Sequence, residues 1–102
     1  DTLDMKVEEL ISQAKEYSEN YNKIAVYGNG TIYNLIKNHI KNIVAVFDKN
    51  QKEHDIYFKP DKIVLTNFDI IIVTAIGYED DIMNFLTSNY NIDINKIKIF
   101  DI

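Results

Sequence analysis

Three short runs in this chain are apolar at nearly every position: "IAVY" from Ile24, "IVAVF" from Ile43 and "IIIV" from Ile70. A strand with one face in water alternates apolar and polar residues, so an unbroken β-branched run implies burial on both faces, the signature of a parallel sheet covered by helices. Between and around the runs the apolar residues recur every three or four positions instead. Strands alternating with helices leave few topologies open, and right-handed crossovers select a doubly wound arrangement.

The element order follows from these periods. Leu3, Val7, Leu10, Ala14, Tyr17 and Tyr21 form one stripe among charged residues, predicting an amphipathic leading helix. Strand 1 ends at Gly28; Ile32, Leu35, Ile36 and Ile40 mark a second helix of about ten residues. Strand 2 spans Asn42 to Asp48. "DIYF" reads as a very short third strand, and Pro60 sets the first turn of a short helical segment through Val64. "FDIIIVTAIG" is the fourth strand. A helix carrying Ile82, Phe85, Leu86 and Tyr90 on one face follows, and Ile97 to Phe100 form a last strand. The expectation is an α/β, Rossmann-like three-layer fold with a mainly parallel sheet of four or five strands in the order (3)-2-1-4-5.

The chain has 102 residues, the size of one domain, and no linker interrupts it. Residues 1–102 are therefore read as a single Rossmann-like domain. The start at Asp1 and the stop just after an apolar strand suggest a fragment of a longer protein.

Charge narrows the partners. Sixteen acidic residues against eleven basic ones leave a net charge of -5, so no field concentrates nucleic acid or an anionic membrane surface. Every basic residue is a lysine, so no guanidinium fork is available to grip a phosphate. The absence of cysteine removes disulfides, thiolate nucleophiles and cysteine-type zinc sites, and fits a reducing cytoplasm. No apolar run approaches the roughly 20 residues of a membrane crossing.

The candidate site is the turn after strand 1, "GNGT". In a doubly wound sheet, ligands bind beyond the carboxyl ends of the strands where the order reverses, here between strands 1 and 4. Gly28 permits a tight turn, and Gly30 permits close approach of a ligand. Asn29 lies between them, and Thr31 opens a helix whose first turn holds no acid. The facing loop after strand 4 is Thr74, Ala75, Ile76, Gly77 and Tyr78, with Tyr78 able to stack on a base or sugar. Asp48 stands 20 positions after Gly28, at a strand end where a carboxylate accepts from ribose hydroxyls. Tyr33 departs from the pattern. It occupies the place of the third glycine of a dinucleotide fingerprint, where a phenol ring is expected to push the helix from the sheet or point outward. By that logic Tyr33→Gly would restore a dinucleotide cradle.

Other residues carry less. His39 and His54 have no carboxylate and histidine partners at metal spacing. Glu79, Asp80 and Asp81 crowd the start of the last helix, where acids cap the helix rather than bind a cation. No Ser/His/Asp or Cys/His set is present, so no catalytic constellation is visible and no metal is expected.

The succession "KIAVYGNGTIYNLI", "NIVAVFDKN" and "FDIIIVTAIGYEDDIMNFL" resembles the small Rossmann-like modules of bacterial surface-polysaccharide and sugar-modifying enzymes. Two related settings are the N-terminal domain of sugar acyltransferases and the C-terminal domain of sugar C-methyltransferases. The likeness covers nearly the whole chain after residue 20. It implies a nucleotide, nucleotide-sugar or NAD(H) ligand held at Gly28, Asn29, Gly30, Thr31, Asp48 and the Thr74 to Tyr78 loop. It further implies an adjacent catalytic domain, in a parent protein that is a transferase of polysaccharide biosynthesis. Two alternatives stay open: a non-catalytic structural or interaction domain with a degenerate nucleotide site, and a ligand-sensing regulatory domain.

Overall fold

The computed structural model describes residues 2–102, with side chains from Lys6 onward; Leu3 of the expected stripe lies outside the described side chains. A five-stranded sheet forms the centre, in the order β3-β2-β1-β4-β5, and every neighbouring pair of strands is parallel. The strands are β1 (Ile24–Tyr27), β2 (Ile43–Phe47), β3 (Tyr57–Phe58), β4 (Ile70–Val73) and β5 (Ile97–Lys98). The helices are α1 (Thr2–Asn20), α2 (Thr31–Ile36) and α3 (Glu79–Tyr90), joined by 3-10 turns at Lys37–His39, Pro60–Leu65 and Ile94–Lys96. The expected fold class and strand order are those observed.

Strand alternation divides the core into two layers. Ala25, Tyr27, Ala45, Phe47, Ile71 and Val73 face α3, where Leu86 is fully buried among them. Ile24, Ile70 and Ile72 face the other way, against Leu10 and Ala14 of α1 and Ile36 of α2. Each fully buried aliphatic side chain of this kind is worth about 1.5–3 kcal/mol, so both layers are needed to hold the sheet. The leading helix is thus a layer of the domain.

α2 differs from expectation. It runs for six residues and tightens into the 3-10 turn at Lys37–His39, whose polar residues offer nothing to bury. Its inner face is Tyr33, Ile36 and Ile40, while Leu35 is 39% exposed. Of the expected stripe, Ile36 and Ile40 are buried and Ile32 packs on the same core, so only Leu35 departs from it, and Tyr33 joins the inner face. Tyr33 neither points outward nor sits over the glycines; it is 2% exposed and packs on Val26 and Val46. Its hydroxyl lies 2.9 Å from that of Tyr57 on the edge strand, with the two rings nearly perpendicular.

α3 ends at Asn91, in the left-handed conformation that lets its amide reach back to the Leu86 carbonyl. The register of the central strands sets up the site. Tyr27 lies opposite both Phe47 and Val73, so Gly28, Asp48 and Thr74 leave the sheet side by side.

Candidate functional site

The three strand ends are stitched together. The Gly28 amide donates to the Phe47 carbonyl at 2.8 Å, and the Thr74 amide donates to the Tyr27 carbonyl at 3.0 Å. Thr74 is buried, and its hydroxyl donates toward the carbonyls of Gly28 (2.9 Å) and Tyr27 (3.2 Å). It is a brace beneath the glycine turn rather than a group facing a ligand. A Cβ on Gly28 would meet the Thr74 hydroxyl oxygen at 2.5 Å, and its φ of +117° is one that L side chains rarely adopt. Gly30 differs, since a Cβ there would meet nothing within 4 Å and its backbone is extended.

Asp48 organises the second loop. One carboxylate oxygen accepts from the Asn29 amide at 2.9 Å, and the other accepts from the Asn50 amide at 3.0 Å. The Asn29 side chain donates to Gln51 at 2.7 Å. Asp48 therefore ties the glycine turn to the loop after β2, a structural duty the sequence reading did not assign to it. Of the three acids at the start of α3, Glu79 accepts from the Gly77 amide in the preceding loop at 2.6 Å, where Gly77 turns with φ +94°.

A cavity of about 520 Å³ opens on the α3 side of these strand ends. Of the expected residues it is lined by Gly28, Asp48, Ala75 and Tyr78. Asn29 borders a shallower depression next to it, shared with Asp48. Gly30 and Thr31 are exposed at the start of α2, outside the cavity lining. Ile76 turns to the opposite layer and packs beside the α1 and α2 core. Tyr33 is on that opposite layer too, so its ring leaves the cavity open.

Further lining residues are Tyr27, Lys49, Asp81, Ile82 and Phe85. Sequence patterning assigned Tyr27 to a buried strand, Ile82 and Phe85 to a helix stripe, and Asp81 to a cap. The strand and stripe readings hold, Asp81 stands in the first turn of α3, and the same side chains also form the cavity wall. The Tyr27 ring meets Phe85 edge-on at 6.2 Å, and Lys49 Nζ lies 5.3 Å from the Phe85 ring centre. Tyr27 is 4% exposed, yet its hydroxyl has no hydrogen-bond partner. Burial first, then the charges of Asp48 and Tyr90, push its pKa up to about 12, so the phenol stays a neutral donor at physiological pH.

The polar and ionisable side chains of the cavity lining are those of Tyr27, Asp48, Lys49, Asn50, Tyr78 and Asp81. Among the described residues, no group of three or more histidine, cysteine or acidic side chains could hold a metal ion. No described helix is long and apolar enough to cross a membrane. No protein-family model matches the chain, and no curated protein matches it.

Proposed function

We propose that the domain binds a nucleotide or nucleotide-sugar at the carboxyl ends of β1, β2 and β4, as a module of a larger polysaccharide- or sugar-modifying enzyme. The observation that carries this reading is the open cavity at the topological switch point, with Tyr33 packed away on the opposite face of the sheet. Its volume falls in the range of small-molecule sites, and it combines apolar walls with a few polar groups. The lysine-only basic set fits a ligand gripped by backbone amides rather than by a guanidinium. The bacterial surface-polysaccharide setting and the transferase parent rest on the sequence resemblance alone.

One observation favours a second reading, a structural or interaction domain with a degenerate site. Asp48 occupies the Asn29 amide, and Asn29 pairs with Gln51, so the glycine turn satisfies itself. Ligand screening separates the two. Binding of UDP, UDP-glucose, ADP or NAD stabilises the folded state, by about 2.7 kcal/mol at a hundredfold excess over Kd, and so raises the melting temperature. A melting temperature unmoved by all four at millimolar concentration would falsify the nucleotide reading and leave the interaction domain.

A further inference from the structure

Of the asparagines in the chain only Asn29 precedes a glycine, and it stands in the turn between β1 and α2. The side-chain carbonyl carbon of an asparagine is open to attack by the backbone nitrogen of the next residue, and a glycine there presents no Cβ to block the approach. In a folded protein the state of that nitrogen decides whether the pair reacts. Asn29 and Gly30 are both exposed, and a Cβ on Gly30 would meet nothing within 4 Å. The Gly30 carbonyl accepts from the amide and the side chain of Asn34, whereas its own amide donates to no partner among the described residues. The two amides before it are engaged: Gly28 donates to Phe47, and Asn29 donates to Asp48. The Asn29 side chain is held only by its exposed hydrogen bond to Gln51, a contact that water readily replaces.

We infer that Asn29 is a self-modification site of the folded protein, at which the Gly30 amide converts the asparagine to aspartate or isoaspartate with water as the co-reactant. The Gly30 nitrogen bonds to Asn29 Cγ, the bond from Cγ to Nδ2 breaks, and Nδ2 leaves as ammonia with the proton given up by Gly30. Water then opens the five-membered imide. Its hydroxyl adds to one of the two carbonyl carbons, its remaining proton returns to the Gly30 nitrogen, and nothing is oxidised or reduced. Opening at Cγ leaves aspartate; opening at the backbone carbonyl leaves isoaspartate. Either product puts a second carboxylate beside Asp48 and removes the donor to Gln51. Isoaspartate also adds a methylene to the backbone just after Gly28, whose conformation is fixed against Thr74. The modification therefore acts on the tie between the glycine turn and the loop after β2, at the rim of the cavity.

Prolonged incubation of the whole chain near neutral pH tests this, with peptide mass mapping and enzymatic methylation specific for isoaspartate. Product should gather at Asn29, on the order of tenfold or more ahead of the exposed Asn38 and Asn67, whose following residues carry side chains. Gly30→Ala keeps the turn, because its Cβ has open space, and should slow the reaction at Asn29 by about tenfold. The folded protein should react within about tenfold of the chain unfolded in urea, since the attacking amide needs no opening of the fold to become free. A rate at Asn29 no greater than at Asn38 and Asn67, an undiminished rate in Gly30→Ala, or aspartate formed without isoaspartate overturns the inference. So does protection by folding of more than about a hundredfold, which would place the turn in a closed state.

Discussion

A methyl group at Gly28 would sit against the Thr74 hydroxyl on a backbone of positive φ, whereas one at Gly30 would point into open space. The two glycines of one short motif therefore do different work, which their spacing cannot reveal because Thr74 lies 46 residues further along the chain. Gly28→Ala combines backbone strain with a clash against a braced side chain, and should cost about 2 to 4 kcal/mol in urea unfolding. Gly30→Ala alters only the residue before α2, with no side-chain cap to lose, and should stay within about 1 kcal/mol. Equal losses would mean that Gly30 has a structural constraint too. Asp48 was legible by position but not by duty. Its carboxylate serves the Asn29 and Asn50 amides, so Asp48→Ala is expected to loosen both loops by about 1 to 3 kcal/mol.

Among the elements, the strands were readable, and so was the place of α2 but not its length or its use of Tyr33. Continuous β-branched runs have one physical explanation, burial on both faces, and the five-stranded parallel order followed. In α2 the apolar residues Ile32, Leu35 and Ile36 fit a helical stripe equally well with or without Tyr33, and the choice depends on what Tyr33 can reach. Tyr57 supplies the partner for its hydroxyl, and Val26 and Val46 supply the surface beneath its ring. Neither is local in sequence. Tyr33→Gly consequently should not restore a cradle; it removes a buried aromatic ring and adds a helical glycine, at a cost of about 4 to 6 kcal/mol. Tyr33→Phe keeps the ring and loses one hydrogen bond, about 1 kcal/mol. Denaturant melts of the pair check the assignment, since similar small losses would place the ring at the surface. The sequence placed Gly28, Asp48, Ala75 and Tyr78 at the cavity, but its α3-side wall escaped for a related reason. Tyr27, Ile82 and Phe85 are ordinary core residues until β1 and α3 come together.

At the scale of the molecule, tyrosine hydroxyls sit at three joints of the fold. Tyr17 of α1 donates to the Ile99 carbonyl at 2.7 Å, beside Gln13, which pairs with both backbone groups of Asp101 and so anchors the segment after β5. Tyr33 joins α2 to β3, and Tyr27 is enclosed under α3. Burial is the leading cause raising the pKa of all three, with the Tyr57 hydrogen bond adding to it at Tyr33. The sign of the linkage follows. In the unfolded chain these phenols lose their protons near pH 10, while the folded protein holds them longer, so the native state binds more protons above that point and stability falls as pH rises. The contribution of Tyr27 is complete below about pH 10 and is lost on the way to about pH 12, where it ionises in the folded state. Thermal melts across that window should show a falling melting temperature for the wild type and a shallower fall for Tyr27→Phe, which has no proton to lose at that site. If the variant declines as steeply as the wild type, Tyr27 ionises with its ordinary pKa, and the closed environment beneath α3 is not what holds its proton.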